Sequence, residues 1–145
     1  MEEVAYVTDG FQIKLDFDST RPIYMQIIDE VKRAVARNLL MPGGKLPSQR
    51  ELAEAARVNP NTVQRAYREM EAMGLVETRR GEGTYIREDE GLLANLRSEM
   101  AQTAVDSFIR QVLALGLTEA EIIKLVTSRY KELQNGKRGG QDGAQ

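Results

Sequence analysis

Gln64, Arg65 and Arg68 follow Asn61 by three, four and seven residues. On an α-helix this spacing gathers the four side chains within an arc of about 100° on one face. Carboxamides donate and accept hydrogen bonds at once, which suits base edges, while guanidinium groups seek phosphate. Arg50 lies upstream and the pair Arg79-Arg80 downstream, so cations flank the stretch on both sides. Alone, the four side chains read equally well as a solvated face, with Glu69 and Glu71 nearby for ordinary ion pairs. Three separate basic elements converging on one place favour a surface that meets nucleic acid.

The elements that must carry these side chains have their own signals. Val63, Ala66, Tyr67, Met70 and Met73 recur on the opposite side of the same stretch and predict its buried face. Asn59 is a good N-cap, Pro60 suits the first helical position, and Gly74 stops the helix. Before it, Ser48 and Glu51 form the S-x-x-E pattern in which each side chain satisfies an orphan amide, with Leu52, Ala53 and Ala56 inward and Arg57-Val58 as the turn. An earlier helix is predicted from a hydroxyl cap in Ser19-Thr20-Arg21 and Pro22 in its first turn. Its apolar positions are Ile23, Ile27, Ile28, Val31, Val35 and Leu39, and Met41-Pro42-Gly43-Gly44 breaks it. Leu75 to Arg79 and Gly83 to Arg87 read as two short strands joined through Arg80-Gly81-Glu82. Phe11, Ile13, Leu15 and Phe17 alternate as a half-buried strand, to be paired with that hairpin or with another subunit. Three helices and a basic hairpin are the layout of a winged helix-turn-helix, a fold that sets its third helix in the DNA major groove.

From Asp89 to Gly116 a further helical pattern runs, and Thr118 with Glu121 makes a second capping box opening a helix with Ile122, Ile123, Val126, Tyr130 and Leu133 inward. The expected fold is mainly α with a small β-hairpin: a flexible N-terminus over 1–10, a winged helix-turn-helix over 11–87, a C-terminal helical hairpin over 88–135 and a disordered Gly-rich tail over 136–145. The winged domain closes a core without the C-terminal stripe. Leu93, Leu96, Met100, Phe108, Val112 and Leu115, with Ile122, Val126 and Tyr130, are therefore expected to form a dimerisation surface. A symmetric homodimer would hold two recognition helices about 34 Å apart, one turn of DNA, and so would require an inverted-repeat operator.

Composition narrows the classes. A hydrophobic share of 41% supports a core, and the absence of cysteine and histidine removes disulfides, the usual metal ligand and the usual proton shuttle. No catalytic constellation, metal or cofactor is expected. No run approaches the ~18 apolar residues of a membrane span, and Met1-Glu2-Glu3 lacks the features of a secretion signal, so a cytoplasmic location without membrane contact is expected. The net charge of −2 conceals a division, since residues 21–87 hold 12 basic and 8 acidic side chains, net +4, between acidic flanks. Gly43-Gly44-Lys45 is not a phosphate loop, because Leu46 stands where a P-loop has Ser or Thr.

Pro22-Ile23-Tyr24, Leu46 through Ala53, Asn61-Thr62-Val63 and Gly81-Glu82-Gly83-Thr84 together resemble the DNA-binding domain of the GntR family of bacterial regulators, over roughly residues 11 to 87. Four separated pieces in the right order make the match specific, and the short helical tail is similar to the YtrA-like subfamily. The resemblance implies DNA contacts from Ser48 and Arg50 on the second helix and from Asn59, Asn61, Thr62 and Gln64 at the start of the third. Arg65 and Arg68 lie beyond them, and Arg79, Arg80, Gly81 and Thr84 supply the wing, whose tip enters the minor groove. Pro60 departs from the polar or basic residue of some relatives, so base preference does not transfer. The resemblance further implies a dimeric, sequence-specific repressor of double-stranded DNA, of a kind often found beside transporter genes. The alternative is a winged-helix adaptor for another protein, or a non-specific DNA-coating protein. Neither the existence nor the identity of a small-molecule effector follows from these residues.

Overall fold

Alternation at Phe11, Ile13 and Leu15 builds a strand whose three apolar side chains are all buried. The computed structural model describes residues 2–8 and 11–139, with side chains for 11–138. In chain order the elements are β1 (Glu2–Thr8), β2 (Phe11–Asp16), α1 (Ile23–Ala36), β3 (Lys45–Leu46), α2 (Gln49–Ala56), α3 (Pro60–Ala72), β4 (Val76–Arg79), β5 (Gly83–Ile86), α4 (Glu90–Ala114) and α5 (Glu119–Gly139). They fall into two units, 1–99 and 100–145, so the division lies inside α4 and past the expected limit at Arg87.

In the first unit α1, α2 and α3 pack on two small sheets. β2 pairs antiparallel with β1, from Glu2 opposite Asp16 to Thr8 opposite Phe11. Its partner is thus neither the wing nor another subunit, and residues 2–8, expected as a flexible lead, form a strand. The other edge of β2 is closed by α1: the Lys14 amide donates to Glu30 Oε2 at 3.3 Å, and the Asp16 amide to Gln26 Oε1 at 2.8 Å. The strand stops before Phe17, which is 44% exposed, because the Asp18 amide turns back onto Asp16 Oδ1. In the second sheet β5 is central, flanked by β3 and β4, with Lys45 opposite Tyr85 and Val76 opposite Ile86. The two residues of β3 were not anticipated.

α1 departs from expectation at both ends. Pro22 is the N-cap rather than a first-turn residue, and its carbonyl accepts from the Met25 and Gln26 amides; the Ser19 hydroxyl instead accepts from the Arg21 amide. The helix ends at Ala36, before the Pro-Gly-Gly segment, because Asn38 takes a left-handed conformation (φ 61°) and the Leu39 amide closes onto Ala34. Asn tolerates that region better than other side-chain-bearing residues. Leu39 is consequently exposed, and Leu40 is buried in its stead. The core of the unit joins Ile13, Ile27, Val31, Leu52, Val63, Met70, Leu75 and Ile86 from every layer.

The first turns of α4 belong to this unit. Leu96 is buried beside a small cleft that Lys32 and Leu75 also line, and Arg97 Nε donates to the Ala36 carbonyl at 3.0 Å. Leu96 is therefore part of the core of one chain rather than of a dimer surface, and Leu93 is half-buried. In the second unit α4 ends at a turn in which Gly116 takes φ 82°, and the predicted capping box opens α5, with Thr118 and Glu121 exchanging 2.8 and 3.3 Å hydrogen bonds. α5 runs on through Gly136 to Gly139, so the expected disordered tail is helical to that point, and 140–145 lie outside the described residues.

Candidate nucleic-acid interface

Capping chemistry sets the two helices that carry the site. Ser48 Oγ accepts from the Glu51 amide at 3.1 Å while Glu51 Oε2 accepts from the Ser48 amide at 2.8 Å, both halves of the predicted box. Those hydrogen bonds hold the Glu51 carboxyl below the usual carboxylate range. Arg57 provides the left-handed turn after α2 (φ 53°), and Asn59 Oδ1 accepts from the Asn61 amide at 2.8 Å to start α3, with Pro60 in its first turn. The angle between the helices is pinned from inside: Tyr67, buried on α3, donates its hydroxyl to the Pro47 carbonyl just ahead of α2. Burial is the main cause that raises the Tyr67 phenol far above its ordinary range, so it stays a donor.

The outward side of α3 presents Asn61, Gln64, Arg65 and Arg68, all exposed, with Val63, Ala66, Tyr67 and Met70 buried behind them. Met73, expected in the core, is 47% exposed because the helix closes on it as C-cap before Gly74. Arg50, Asn61 and Gln64 line one shallow cleft of about 400 Å³ between the starts of α2 and α3, together with Gln49, Glu54 and Pro60. Arg50, with 89% of its side chain exposed, pairs with Glu54 at 3.1 Å. Exchanging a solvated carboxylate for phosphate at such a position costs little, since exposed pairs contribute only ~0–1 kcal/mol. Thr62 is half-buried in the first turn of α3, while Ser48 and Asn59 are exposed caps whose side chains already serve the backbone.

The wing divides. Arg80 and Gly81 are exposed at the tip, where Gly81 takes φ 78° and a Cβ there would meet nothing within 4 Å. Among the described residues, neither Arg68 nor Arg80 has a hydrogen-bond or ion-pair partner for its guanidinium. Arg79 is occupied: Nε and Nη2 donate to Glu77 Oε1 at 3.0 and 2.8 Å, and the guanidinium lies 4.1 Å above the Tyr85 ring. The Glu77 hydrogen bonds raise its pKa further. Thr84 was expected at the interface, but it is buried in the sheet opposite Leu46 and Thr78. Its side chain is a structural one. Gln49 and Glu54 in the cleft, and Tyr24 beneath Arg65, were not anticipated; the wing alternation gave a signal for Thr84, but nothing local announced Tyr24.

In the second unit Phe108 from α4 and Leu125, Val126, Arg129, Tyr130 and Leu133 from α5 line an open, almost wholly apolar groove of about 540 Å³. Of the remaining residues expected to dimerise, Val112 is buried, Met100 and Ile122 are half-buried and Leu115 is exposed. The described residues include no helix long and apolar enough to cross a membrane and no cluster of potential metal ligands.

Comparison with known proteins agrees with this architecture. Residues 23–86 match the family model described as bacterial regulatory proteins, gntR family. The chain is 45% identical over 108 residues to the uncharacterized HTH-type transcriptional regulator YhcF of Bacillus subtilis, spanning 74% of this chain and 89% of that one. It is 43% identical over 101 residues to the HTH-type transcriptional repressor YtrA of the same organism, spanning 66% and 78%. Among solved structures, a GntR family transcriptional regulator from Listeria monocytogenes superposes with a TM-score of 0.71 at 37% identity, covering 77% of this chain and 98% of that one. Similarity to YhcF and YtrA over most of their lengths, in a chain folded as a winged helix-turn-helix with C-terminal helices, places this protein in the GntR family as a DNA-binding transcriptional regulator of YtrA-like type, not an enzyme.

Proposed function

We propose that the protein is a homodimeric, sequence-specific repressor of an inverted-repeat operator. The observation that carries this reading is the α3 face, on which Asn61, Gln64, Arg65 and Arg68 are exposed together beside Arg50. In this arrangement α3 lies in the major groove with Asn61, Thr62 and Gln64 at base edges, Arg50, Arg65 and Arg68 neutralise phosphates, and Arg80 and Gly81 enter the minor groove. The open apolar groove of the second unit supports association of two copies, which would set the half-sites one helical turn apart. Occupation of a promoter then excludes polymerase. The similarity to the repressor YtrA supports that direction of control.

Titration of labelled duplex between 50 and 200 mM salt tests the reading. A dimer neutralising ~6–10 phosphates loses about 10³- to 10⁵-fold in affinity over that range, whereas an adaptor that binds another protein shows no such slope. Competition with random duplex then separates a sequence reader from a coating protein. Within the site, Arg50→Ala is expected to weaken all duplexes alike, and Gln64→Ala to alter preference at one base position by ~1–3 kcal/mol. Equal losses for both variants on selected and random DNA would refute the assigned roles.

A further inference from the structure

We infer that Tyr24 is a positioning residue for DNA binding: it holds the Arg65 guanidinium over its ring and oriented on the face of α3 so that its free N–H groups meet a backbone phosphate. The inference rests on the reading of α3 as the groove-facing helix. Tyr24 lies in the first turn of α1, half-buried, and α1 packs against α3. The Arg65 guanidinium carbon is 3.9 Å from the Tyr24 ring centroid, and Nη2 donates to Tyr24 Oη at 3.3 Å. A place over the ring together with one hydrogen bond to its hydroxyl restricts both the position and the rotation of the guanidinium.

What separates this pair from ordinary surface packing is the charge around it. Arg79 shows the alternative in the same molecule, since it also stacks on a tyrosine but gives two hydrogen bonds to Glu77. Arg65 has no carboxylate within ion-pair distance among the described residues. Glu69, one turn further along α3, does not reach it, and Asp29 on α1 is engaged by Arg21. A guanidinium has five N–H donors, and Tyr24 takes one. The stacked cation thus keeps its charge and most of its donors, while the freedom that a long side chain would lose on meeting phosphate is already restricted. Tyr24 also gives the Pro22-Ile23-Tyr24 triplet a role beyond starting α1.

The experiment uses the full chain and a labelled 40-base-pair duplex of random sequence at low salt, because a phosphate contact is independent of sequence. Tyr24→Phe, which keeps the stack, is expected to bind within about twofold of the unsubstituted protein, and Tyr24→Leu to lose about two- to fivefold. Arg65→Ala is expected to reduce the slope of log affinity against log salt by ~0.9 for each phosphate contact removed. In the Arg65→Ala background Tyr24→Leu should cost nothing more. If Tyr24→Leu melts below the assay temperature, Arg65→Lys replaces it: the charge and the salt slope remain, the planar stack goes, and the same two- to fivefold loss is expected. The inference is overturned if Tyr24→Leu or Arg65→Lys binds like the unsubstituted protein, or if the Tyr24→Leu loss recurs in full without Arg65, which would mark a purely structural tyrosine. Failure of the unsubstituted chain to bind duplex would instead bring down the groove-facing reading of α3, and this inference with it.

Discussion

The winged unit and the C-terminal helices draw on the same apolar vocabulary with opposite results. In the first, side chains from two sheets and three helices meet from several directions, and Ile13, Ile27, Val31, Val63 and Met70 are fully enclosed. In the second, only Val112 is buried among the described residues, while Val126, Tyr130 and Leu133 are 46, 64 and 61% exposed. Two helices can shield at most one side of each other, so a second layer must come from elsewhere. Monomeric surfaces rarely leave a contiguous apolar patch of this kind uncovered. One unit thus closes its own core, while the other leaves an apolar face open, the face that the proposed dimer would bury.

The largest effect that could break this contrast is expected from a charge in the open groove. Leu133→Asp, or Val126→Asp, should leave a folded winged unit but convert a dimer to monomers in sedimentation experiments. Affinity for an inverted-repeat duplex should then fall by about 10²- to 10⁴-fold, the avidity lost when two reading heads are no longer linked. A variant that remains dimeric with intact affinity would assign the groove to some other partner.

Core truncation sharpens the same contrast at the next scale. Leu52 is 1% exposed on α2, whereas Leu133 on α5 is mostly exposed. Leu52→Ala should destabilise the winged unit by ~2–5 kcal/mol, the range for a buried leucine that leaves a cavity. Leu133→Ala should leave urea unfolding of that unit unchanged and make only the dimer more sensitive to dilution. Equal losses from the two substitutions in dilute protein would mean that the units share a core.

Local chemistry explains what could be read from the chain in advance. Ser48 with Glu51, Asn59 with Pro60, and Thr118 with Glu121 mark helix starts through contacts within three residues, and all three starts stand where those signals put them. The α3 face was legible for the same reason, since helical periodicity alone separates Val63, Ala66 and Met70 from Asn61, Gln64 and Arg68. Thr84 was open to a similar argument: strand alternation from Ile86 places it inward, but the wing motif around it suggested a contact. The partner of β2 was not legible, because pairing with residues 2–8 depends on register between two segments, and the acids at Glu2 and Glu3 obscure the strand-forming Val4, Tyr6, Val7 and Thr8. Early termination of α1 at Ala36, set by left-handed Asn38, was hidden behind the stronger breakers Pro42, Gly43 and Gly44. Tyr24 under Arg65 joins residues 41 positions apart and exists only once α1 packs on α3. Sequence spacing therefore disclosed which side chains share the exposed face of α3, and tertiary packing decided which of them touch another element.

The smallest expected effect compares the two capping boxes. Both satisfy the same orphan amides, but α2 is locked into the winged core through Leu52 and Ala53, whereas the described side chains of α5 are exposed except for half-buried Ile122. Ser48→Ala should therefore lower the stability of the winged unit by ~1 kcal/mol, while Thr118→Ala should alter only helicity in the second unit. Acid provides an independent check on the α2 box. The amide and hydroxyl of Ser48 hold the Glu51 carboxyl below its ordinary value of 4.5, so folding favours the ionised form. A depressed native pKa contributes stability that is complete above the unfolded value and disappears as pH falls through the folded one. The stability difference between the unsubstituted protein and Glu51→Gln should therefore be greatest near neutral pH and shrink below about 4.5. A difference that stays constant into that range in urea titrations would mean that the carboxylate charge contributes nothing to the cap and that hydrogen-bond geometry alone sets the start of α2.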